Sequence, residues 1–171
     1  EDNQLGIQAY VPKIGTSGTQ IEDITFSMDN FNDVLDMSVY VFNRLPKDKP
    51  TAAKIGDVKA HIDVLAANDE IDLTILLDST DSVRNAGTIS VTSTLQKYAN
   101  RPLANIYIHP TEIILNDSVW DIQESNITYN VAEQLMSVEN FALSTDHQSI
   151  IANGIASKNI QDSIQIELKN I

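Results

Sequence analysis

The sequence predicts an all-β protein whose strands form a mainly antiparallel, meandering sheet. Isoleucine is the most informative residue, because it occurs 22 times against 13 leucines and 11 valines. β-Branched side chains suit a pleated surface and lose rotamer freedom in a helix, so this usage favours strands. Apolar and polar residues alternate through most of the chain, as in strands with one buried face and one wet face. No long helical periods separate these runs, which argues against a parallel βαβ sheet.

The clearest alternating runs predict a long β-hairpin. Residues 56–64 and 71–77 place apolar side chains at every second position, and the segment 66–70 between them has the composition of a hairpin turn. A third clear run spans 35–41. Shorter runs follow at 89–91, 106–108, 113–115, 119–122, 127–131, 150–156 and 164–168. We therefore expect roughly ten to thirteen strands.

Turn residues divide the chain into strands but leave no gap long enough for a domain linker. We predict breaks at 15–18, 43–51, 78–87 and 98–102, and Pro46 and Pro50 prevent the second of these from continuing a ladder. The sequence also begins at Glu1 without an initiator methionine. We therefore expect residues 1–171 to be a single fragment of a longer repetitive β-sheet domain, with any signal or anchor outside it.

Two segments leave a choice between helix and strand. In 131–143 the apolar residues fall at helical spacing, and Asn130 could cap a helix. The same segment also fits two strand halves with a slip between Val138 and Phe141, and this interpretation is preferred. A single helical turn could likewise precede Met37, at 31–35.

Charge and composition exclude several functions. Eleven basic and 24 acidic residues give a formal charge of −13, which argues against nucleic acid and against anionic lipid head groups as partners. Cysteine is absent, so disulfides, thiol nucleophiles and cysteine zinc sites are excluded. No apolar run approaches the length of a membrane-spanning helix, so any membrane contact is expected only through parts outside this fragment.

No constellation of residues predicts catalysis or a cofactor. His61, His109 and His147 lie far apart and share no metal-ligand spacing. Carboxylate pairs such as Asp117 and Asp121 are expected by chance among so many acids, and are more typical of turns and surface. No serine elbow or glycine-rich phosphate loop is present. Trp120, the only tryptophan, is more typical of packing than of a sugar platform.

Three passages in the second half of the chain resemble the TamB family, the translocation and assembly module proteins related to AsmA-like envelope proteins. They are IHPTEIILNDSVWDI at 108–122, VENFALSTDHQSI at 138–150, and GIAS at 154–157 with DSIQIEL at 162–168. The resemblance implies an interior β-repeat segment of a periplasmic protein anchored in the inner membrane. It also implies a trough-like (β-taco) sheet with an apolar concave face, and a role in phospholipid transport or outer-membrane protein assembly with an Omp85-type partner. The family has no catalytic residues to transfer.

The alternating apolar residues are therefore the candidate functional site. In an open, curved sheet they would line a groove for lipid acyl chains, because an exposed apolar surface of that size requires an apolar partner. In a closed β-sandwich of a secreted or surface protein, which would recognise a glycan or a protein, the same residues would be core. The predicted groove residues are Val39, Val41, Ile62, Val64, Ile71, Leu73, Ile75, Leu77, Ile89, Val91, Ile113, Leu115, Ile164, Ile166 and Leu168.

Overall fold

The computed structural model describes residues 5–15, 20–44, 58–79, 84–159 and 161–171. These residues form thirteen strands and no helix, so the predicted all-β class is confirmed. In chain order the strands are β1 (Leu5–Gly15), β2 (Gln20–Phe31), β3 (Val34–Arg44), β4 (Val58–Ala67), β5 (Glu70–Ser79), β6 (Ala86–Tyr98), β7 (Arg101–Ile108), β8 (Thr111–Leu115), β9 (Ser118–Ile122), β10 (Ser125–Asn130), β11 (Leu135–Ser144), β12 (Ser149–Ala156) and β13 (Ile164–Lys169).

All thirteen strands belong to one antiparallel sheet, as predicted. The hairpin of β8 and β9 fills the space between β6 and β11, directly beyond the ends of β7 and β10. β7 pairs with β10 in the same register as β8 pairs with β9, since Ile108 lies opposite Ser125 and Ile113 lies opposite Trp120. β7–β8 and β9–β10 therefore act as two long strands, each interrupted once. The whole sheet is an up-and-down meander.

Tight turns close four of the hairpins and fix their register. In each turn both central residues have positive φ, between 48° and 64°, which is the type I′ geometry that matches the twist of paired strands. Asparagine and aspartate tolerate this backbone conformation better than other non-glycine residues. The predicted hairpin of β4 and β5 is confirmed, with its turn inside 66–70. The four turns are Asn32-Asp33, Asn68-Asp69, Ala99-Asn100 and Asn116-Asp117.

The segment that left a choice between helix and strand is a four-residue turn followed by β11. Asn130 Oδ1 accepts hydrogen bonds from the backbone N–H groups of Ala132 (3.0 Å) and Glu133 (3.2 Å), as a helix cap would. Gln134 then adopts a φ of 51°, which ends the turn before a helix can propagate. The prediction that Val131 belongs to a strand was wrong, because the capped turn begins at this residue.

β11 is a strand because it pairs along both of its edges, with β10 on one side and β12 on the other. These ladders outweigh the helix propensity of 132–136, since tertiary pairing overrides a weak local preference. The register against β12 shifts between Val138 and Phe141, which confirms the predicted slip. The alternative helical turn at 31–35 does not form, and the Asn32-Asp33 hairpin turn occupies its place.

Several strands extend into the segments that the sequence analysis predicted as breaks between strands. β3 continues through Arg44, β5 through Ser79, and β7 begins at Arg101 and includes Pro102. The ladder partner extends each strand, since a neighbouring strand can pair with backbone whatever the side-chain pattern. The predictions that fall on 16–19, 45–57 and 80–83 lie outside the described residues.

The sheet has almost no buried core. Only Ile113, Ile122 and Ala142 are buried among the apolar side chains of the described residues. The described strands therefore form a single layer, in which the backbone ladder and cross-strand side-chain pairs replace a packed interior.

Replacement of Ala99 tests the turn geometry. Ala99 has a φ of 48° at the first position of its type I′ turn, where alanine is poorly suited. We expect Ala99→Asn to raise the free energy of unfolding by about 1 kcal/mol, because asparagine relieves the left-handed strain. Ala99→Val should lower it. Chemical denaturation measures both changes, and equal stabilities for the two variants would contradict the assigned turn.

Candidate functional site

The register of the sheet places a continuous set of side chains on one face. Residues directly opposite each other on paired strands share a face, and successive residues along a strand alternate between faces. This rule can be followed from β1 to β7 without a break. One such row across the sheet is Ile7, Met28, Met37, Val64, Leu73, Val91 and Ile108.

Every predicted groove residue lies on this same face, which we call the apolar face. Two independent paths through the ladders lead from β6 to β13 and agree. One path runs through β7, β10, β11 and β12 to Ile164, and the other runs through β8, β9, β11 and β12 to Leu168. Whether the face is concave stays a prediction.

The predicted groove residues, which were chosen by alternation, do not include every apolar residue on this face. Strands β1 and β2, near one edge of the sheet, also contribute apolar residues to it, and so do β7, β10 and β11. Their runs are short or interrupted by bulges, so the period-two signal is weaker there than in β4 and β5. The additional residues include Leu5, Ile7, Ala9, Val11, Ile24, Phe26, Met28, Ile106, Ile108, Ile127, Met136, Val138, Phe141 and Leu143.

Carboxylates are segregated onto the opposite face, which we call the acidic face. In β3 to β13 no aspartate or glutamate lies on the apolar face. This segregation follows from the sequence. In each strand the acids and the apolar-face residues occupy positions of opposite parity, so the strand points them to opposite faces of the sheet. The acids of these strands, all on the acidic face, are Asp36, Asp63, Glu70, Asp72, Asp78, Glu112, Asp121, Glu139 and Glu167.

Two β-bulges preserve the apolar face where the apolar residues change between even and odd positions. In β11 the bulge follows Val138 and moves the apolar set to Phe141, with Asn140 at a φ of 59°. In β2 a register shift against β3 lies between Glu22 and Thr25, with Asp23 at a φ of 51°. An unbulged strand would turn the following apolar residues to the other face.

The Tyr10 hydroxyl secures the β2 bulge by donating a hydrogen bond to Asp23 Oδ1 (2.7 Å). This hydrogen bond, with burial and the nearby negative charge, raises the pKa of Tyr10. The tyrosine lies on the acidic face of β1, and it holds the bulged carboxylate away from the apolar side chains.

Three neighbouring long strands are interrupted at one level of the sheet. The breaks are at 109–110 between β7 and β8, at 123–124 between β9 and β10, and at the β11 bulge. Ser125 is fully buried at this level, and its hydroxyl donates to the backbone oxygens of Gln123 (3.0 Å) and Asn140 (3.2 Å). Asn153 Oδ1 accepts from Asn140 N–H (2.7 Å). Side chains thus satisfy backbone groups that the broken ladders leave unpaired.

Exposure varies systematically across the apolar face. Central residues such as Leu73 and Ile75 are half-buried, because strands on both sides shelter them without covering them. At the two edges the same face is open, with 53% of Leu5 and 66% of Ile166 exposed. Gly87 allows close packing against Ile113, since a Cβ there would lie 2.8 Å from Ile113 Cγ2, and Ile113 is the most buried apolar residue of the described part at 4% exposure.

No second layer covers this face in the part of the chain that the structure describes. Its strands form one sheet, and the tight core that two stacked sheets would enclose is absent. The closed-sandwich architecture is therefore not observed. Ordinary monomers expose contiguous apolar patches of only a few hundred Å², and larger ones commonly mark sites of interaction.

The histidines have structural partners on the acidic face and at its border. His61 Nε2 lies 2.7 Å from Ser38 Oγ and 3.1 Å from Asp63 Oδ1. The Thr92 hydroxyl donates to Asp72 Oδ1 (2.9 Å), so His109 Nε2, 2.9 Å from Thr92 Oγ1, acts as the donor in that contact. In this arrangement the imidazole does not accept the proton of the threonine.

The carboxylates singled out in the sequence have local structural roles. Asp117 Oδ1 accepts a hydrogen bond from Arg84 N–H (2.8 Å), which ties the β8–β9 turn to the start of β6. A shallow depression of about 510 Å³ on the acidic side has Glu112, Asp121, Asp146 and His147 in its lining. Within the described ranges, no three His, Asp or Glu side chains are grouped so as to hold a metal ion.

Comparisons with protein families, with curated proteins and with solved structures find no match to this chain. A separate search of the described residues for membrane-spanning segments finds no helix of sufficient length and apolarity.

Replacement of Ser125 tests the junction that connects the two parts of the apolar face. We expect Ser125→Ala to lower the free energy of unfolding by about 1 kcal/mol, because the backbone oxygens of Gln123 and Asn140 lose the hydroxyl proton that they share. Ser137→Ala, at a half-buried serine of β11, is the control and should change little. Denaturant titration measures both, and similar losses would show that the Ser125 contacts carry no special role.

Proposed function

We propose that the apolar face binds lipid acyl chains, and that the chain is a non-catalytic structural segment through which phospholipid moves during outer-membrane biogenesis. The observation that carries this proposal is an apolar face spanning the entire sheet, free of carboxylates from β3 to β13 and uncovered by any described element. A protein of formal charge −13 that keeps one whole sheet face free of acids over eleven strands is adapted to an apolar ligand there.

The β-ladder makes such a surface physically possible. Interior strands satisfy most of their backbone N–H and C=O groups with their two neighbours, and the side chains of Ser125 and Asn153 satisfy others at the interruptions, so mainly side chains would meet the ligand. Each acyl CH₂ group that leaves water for this face gains about 0.8 kcal/mol. Successive rows present similar branched and straight apolar side chains, so a bound chain meets nearly equivalent sites as it moves. Such a surface would retain a lipid while allowing it to slide.

The envelope setting of the proposal rests on the resemblance of 108–122, 138–150, 154–157 and 162–168 to TamB-type proteins. On that basis the parent protein is periplasmic and anchored in the inner membrane, and its partner is an outer-membrane assembly protein of the Omp85 type. The same proposal includes assistance to outer-membrane protein assembly, in which an unfolded strand would replace the acyl chain on the apolar face.

Site-specific photocrosslinking tests ligand contact. p-Benzoylphenylalanine at Ile75 on the apolar face should crosslink lipid when the chain is produced in a bacterial envelope. The same probe at the adjacent Thr74, on the acidic face, is the matched control, because the two sites share a strand and differ in face. Mass spectrometry identifies the adduct, and equal labelling at both sites, or labelling only at Thr74, would refute the proposal.

Insertion of a charge tests whether acyl-chain binding depends on the apolar character of the face. We expect Ile75→Asp to reduce binding of a fluorescent fatty acid at least about tenfold, because a carboxylate on the apolar face must be desolvated beside the bound chain. Leu76→Asp adds the same charge on the acidic face of the same strand, where the side chain is 45% exposed, and should leave binding within about twofold, because the charge remains solvated. Circular dichroism confirms that both variants fold, and fluorescence titration gives the affinities.

A further inference from the structure

The hairpin of β6 and β7 extends beyond the strands on either side of it. Its own ladder continues to the pair Tyr98 and Arg101. The ladder between β5 and β6 ends at Thr94, and the ladder between β7 and β10 ends at Leu103. The residues beyond these two points, 95–102, are all exposed, and we call them the β6–β7 tip.

The tip lies in a part of the sequence that has no acidic residues. The segment 82–111 contains no aspartate or glutamate, although the chain has 24 of them. The same segment contains Arg84, Lys97 and Arg101, and the last two of these belong to the tip. The tip is therefore a locally basic surface on a chain whose formal charge is −13.

Lys97 lies on the apolar face, whereas Arg101 lies on the acidic face. β6 pairs with β7 without a register shift from Val91 to Tyr98, so Lys97 has the same parity as Val91. Arg101 pairs with Tyr98, which has the opposite parity. Among the strand residues of β3 to β13, Lys97 is the only one with a charged side chain on the apolar face.

The ammonium group of Lys97 has no carboxylate partner in the part of the chain that the structure describes. Acidic residues occur nearby on the two flanking turns. On one side the Leu95 N–H donates a hydrogen bond to the backbone oxygen of Asp69 (2.7 Å). On the other side a backbone hydrogen bond of 3.1 Å joins β7 to the turn that contains Glu133. This margin of the sheet thus presents one cation between two turns that carry carboxylates.

The apolar face begins directly inward of Lys97. Leu95 occupies the next row, and Tyr129 lies two strands away in that row with 46% of its surface exposed. Tyrosine has an apolar ring and a polar hydroxyl, so it suits a boundary between water and an apolar surface. Positions 89–97 of β6 span about 26 Å, at about 3.3 Å per residue, whereas an acyl chain covers about 15 Å, half of a bilayer's hydrocarbon core. The face is therefore deep enough for a whole acyl chain that starts at Lys97.

We propose that Lys97 binds the phosphate of a zwitterionic phospholipid, such as phosphatidylethanolamine, whose acyl chains lie along the apolar face. The ammonium group of the lipid then faces the carboxylates of the flanking turns. The inference rests on the proposed lipid binding and adds an orientation to it. Head groups lie at the margin formed by the β6–β7 tip, and acyl chains point along the strands toward the opposite margin.

The position of Lys97 distinguishes this role from a contribution to solubility. A lysine that only kept the tip hydrated would serve equally well on the acidic face, where Arg101 lies. On the apolar face its aliphatic stem can cover neighbouring apolar side chains while the ammonium reaches the water at the margin. There it can donate charge-assisted hydrogen bonds to phosphate oxygens. The lipid chains and the lysine stem then share one apolar surface.

Fluorescence titration with lipids labelled on an acyl chain tests the assignment. Phosphatidylethanolamine and a diacylglycerol with the same chains differ only in the head group. Lys97→Gln should weaken phosphatidylethanolamine binding about three- to tenfold, because charge-assisted hydrogen bonds are lost at an exposed site, and should leave diacylglycerol binding within about twofold. Lys97→Arg, which keeps the charge, should retain the binding of phosphatidylethanolamine.

Arg101→Gln is the matched control, because it removes the same charge from the same tip but on the acidic face. It should leave the binding of both lipids within about twofold, since the charge that it removes is solvated. Circular dichroism confirms that the variants fold. Equal weakening of phosphatidylethanolamine binding by Lys97→Gln and Arg101→Gln would show that only the net charge of the tip matters, and would overturn the proposal.

Glycerophosphoethanolamine, which has the head group without acyl chains, tests whether the ligand is a lipid. It should not displace labelled phosphatidylethanolamine even in large excess, because the acyl chains supply most of the binding free energy. Displacement would instead indicate a site for a free phosphoester and would overturn the proposal.

The titrations also separate this inference from the lipid binding on which it rests. If both lipids bind the unmodified chain and Lys97→Gln changes neither affinity, the apolar face binds acyl chains and the head-group assignment is wrong. If neither lipid binds the unmodified chain, both proposals are wrong. Selective loss of phosphatidylethanolamine binding in Lys97→Gln is the result that we expect.

Discussion

Each strand must pair with its neighbour in a register that keeps the apolar residues on one face, and the rest of this structure depends on that constraint. In a single sheet, the side of the molecule on which a residue lies is decided only by the ladders, and a slip of one residue exchanges the two sides of every following strand. The tight type I′ turns at Asn68-Asp69 and Asn116-Asp117 hold the register, and the bulges at Asp23 and Asn140 correct it where the sequence pattern shifts. The apolar face is the sum of these local choices.

A single layer distributes stability differently from a globular domain. With three buried apolar side chains among the described residues, no packed interior resists the loss of an individual strand. Backbone pairing and cross-strand contacts must supply the stability, and the buried polar groups Ser125, Asn130 and Asn85 occur where ladders or turns need extra partners. A ligand that covers the apolar face would therefore contribute to folding as well as to function.

Much of this architecture was predictable from sequence, because its signals are local. Alternation from Ile71 to Leu77 specifies both a strand and its apolar side, and the slip between Val138 and Phe141 was visible as a change of parity. Strand ends were less predictable, since ladder partners extended β3 and β7 into segments rich in turn residues. The turn at 131–134 was missed because its ending depends on the backbone conformation of Gln134, which composition does not reveal.

Spin-label accessibility along β5 tests the central claim, that one face of the sheet is apolar and uncovered by protein, most directly. Single cysteines introduced at each position from 70 to 79 and labelled with a nitroxide would be measured with phospholipid present, using oxygen and a water-soluble nickel complex as relaxing agents. With lipid on the apolar face, as proposed, we expect a period of two, with high oxygen accessibility at odd positions such as 73 and 75 and high nickel accessibility at even positions. Odd positions inaccessible to both agents would show that protein covers the face, and would contradict the account.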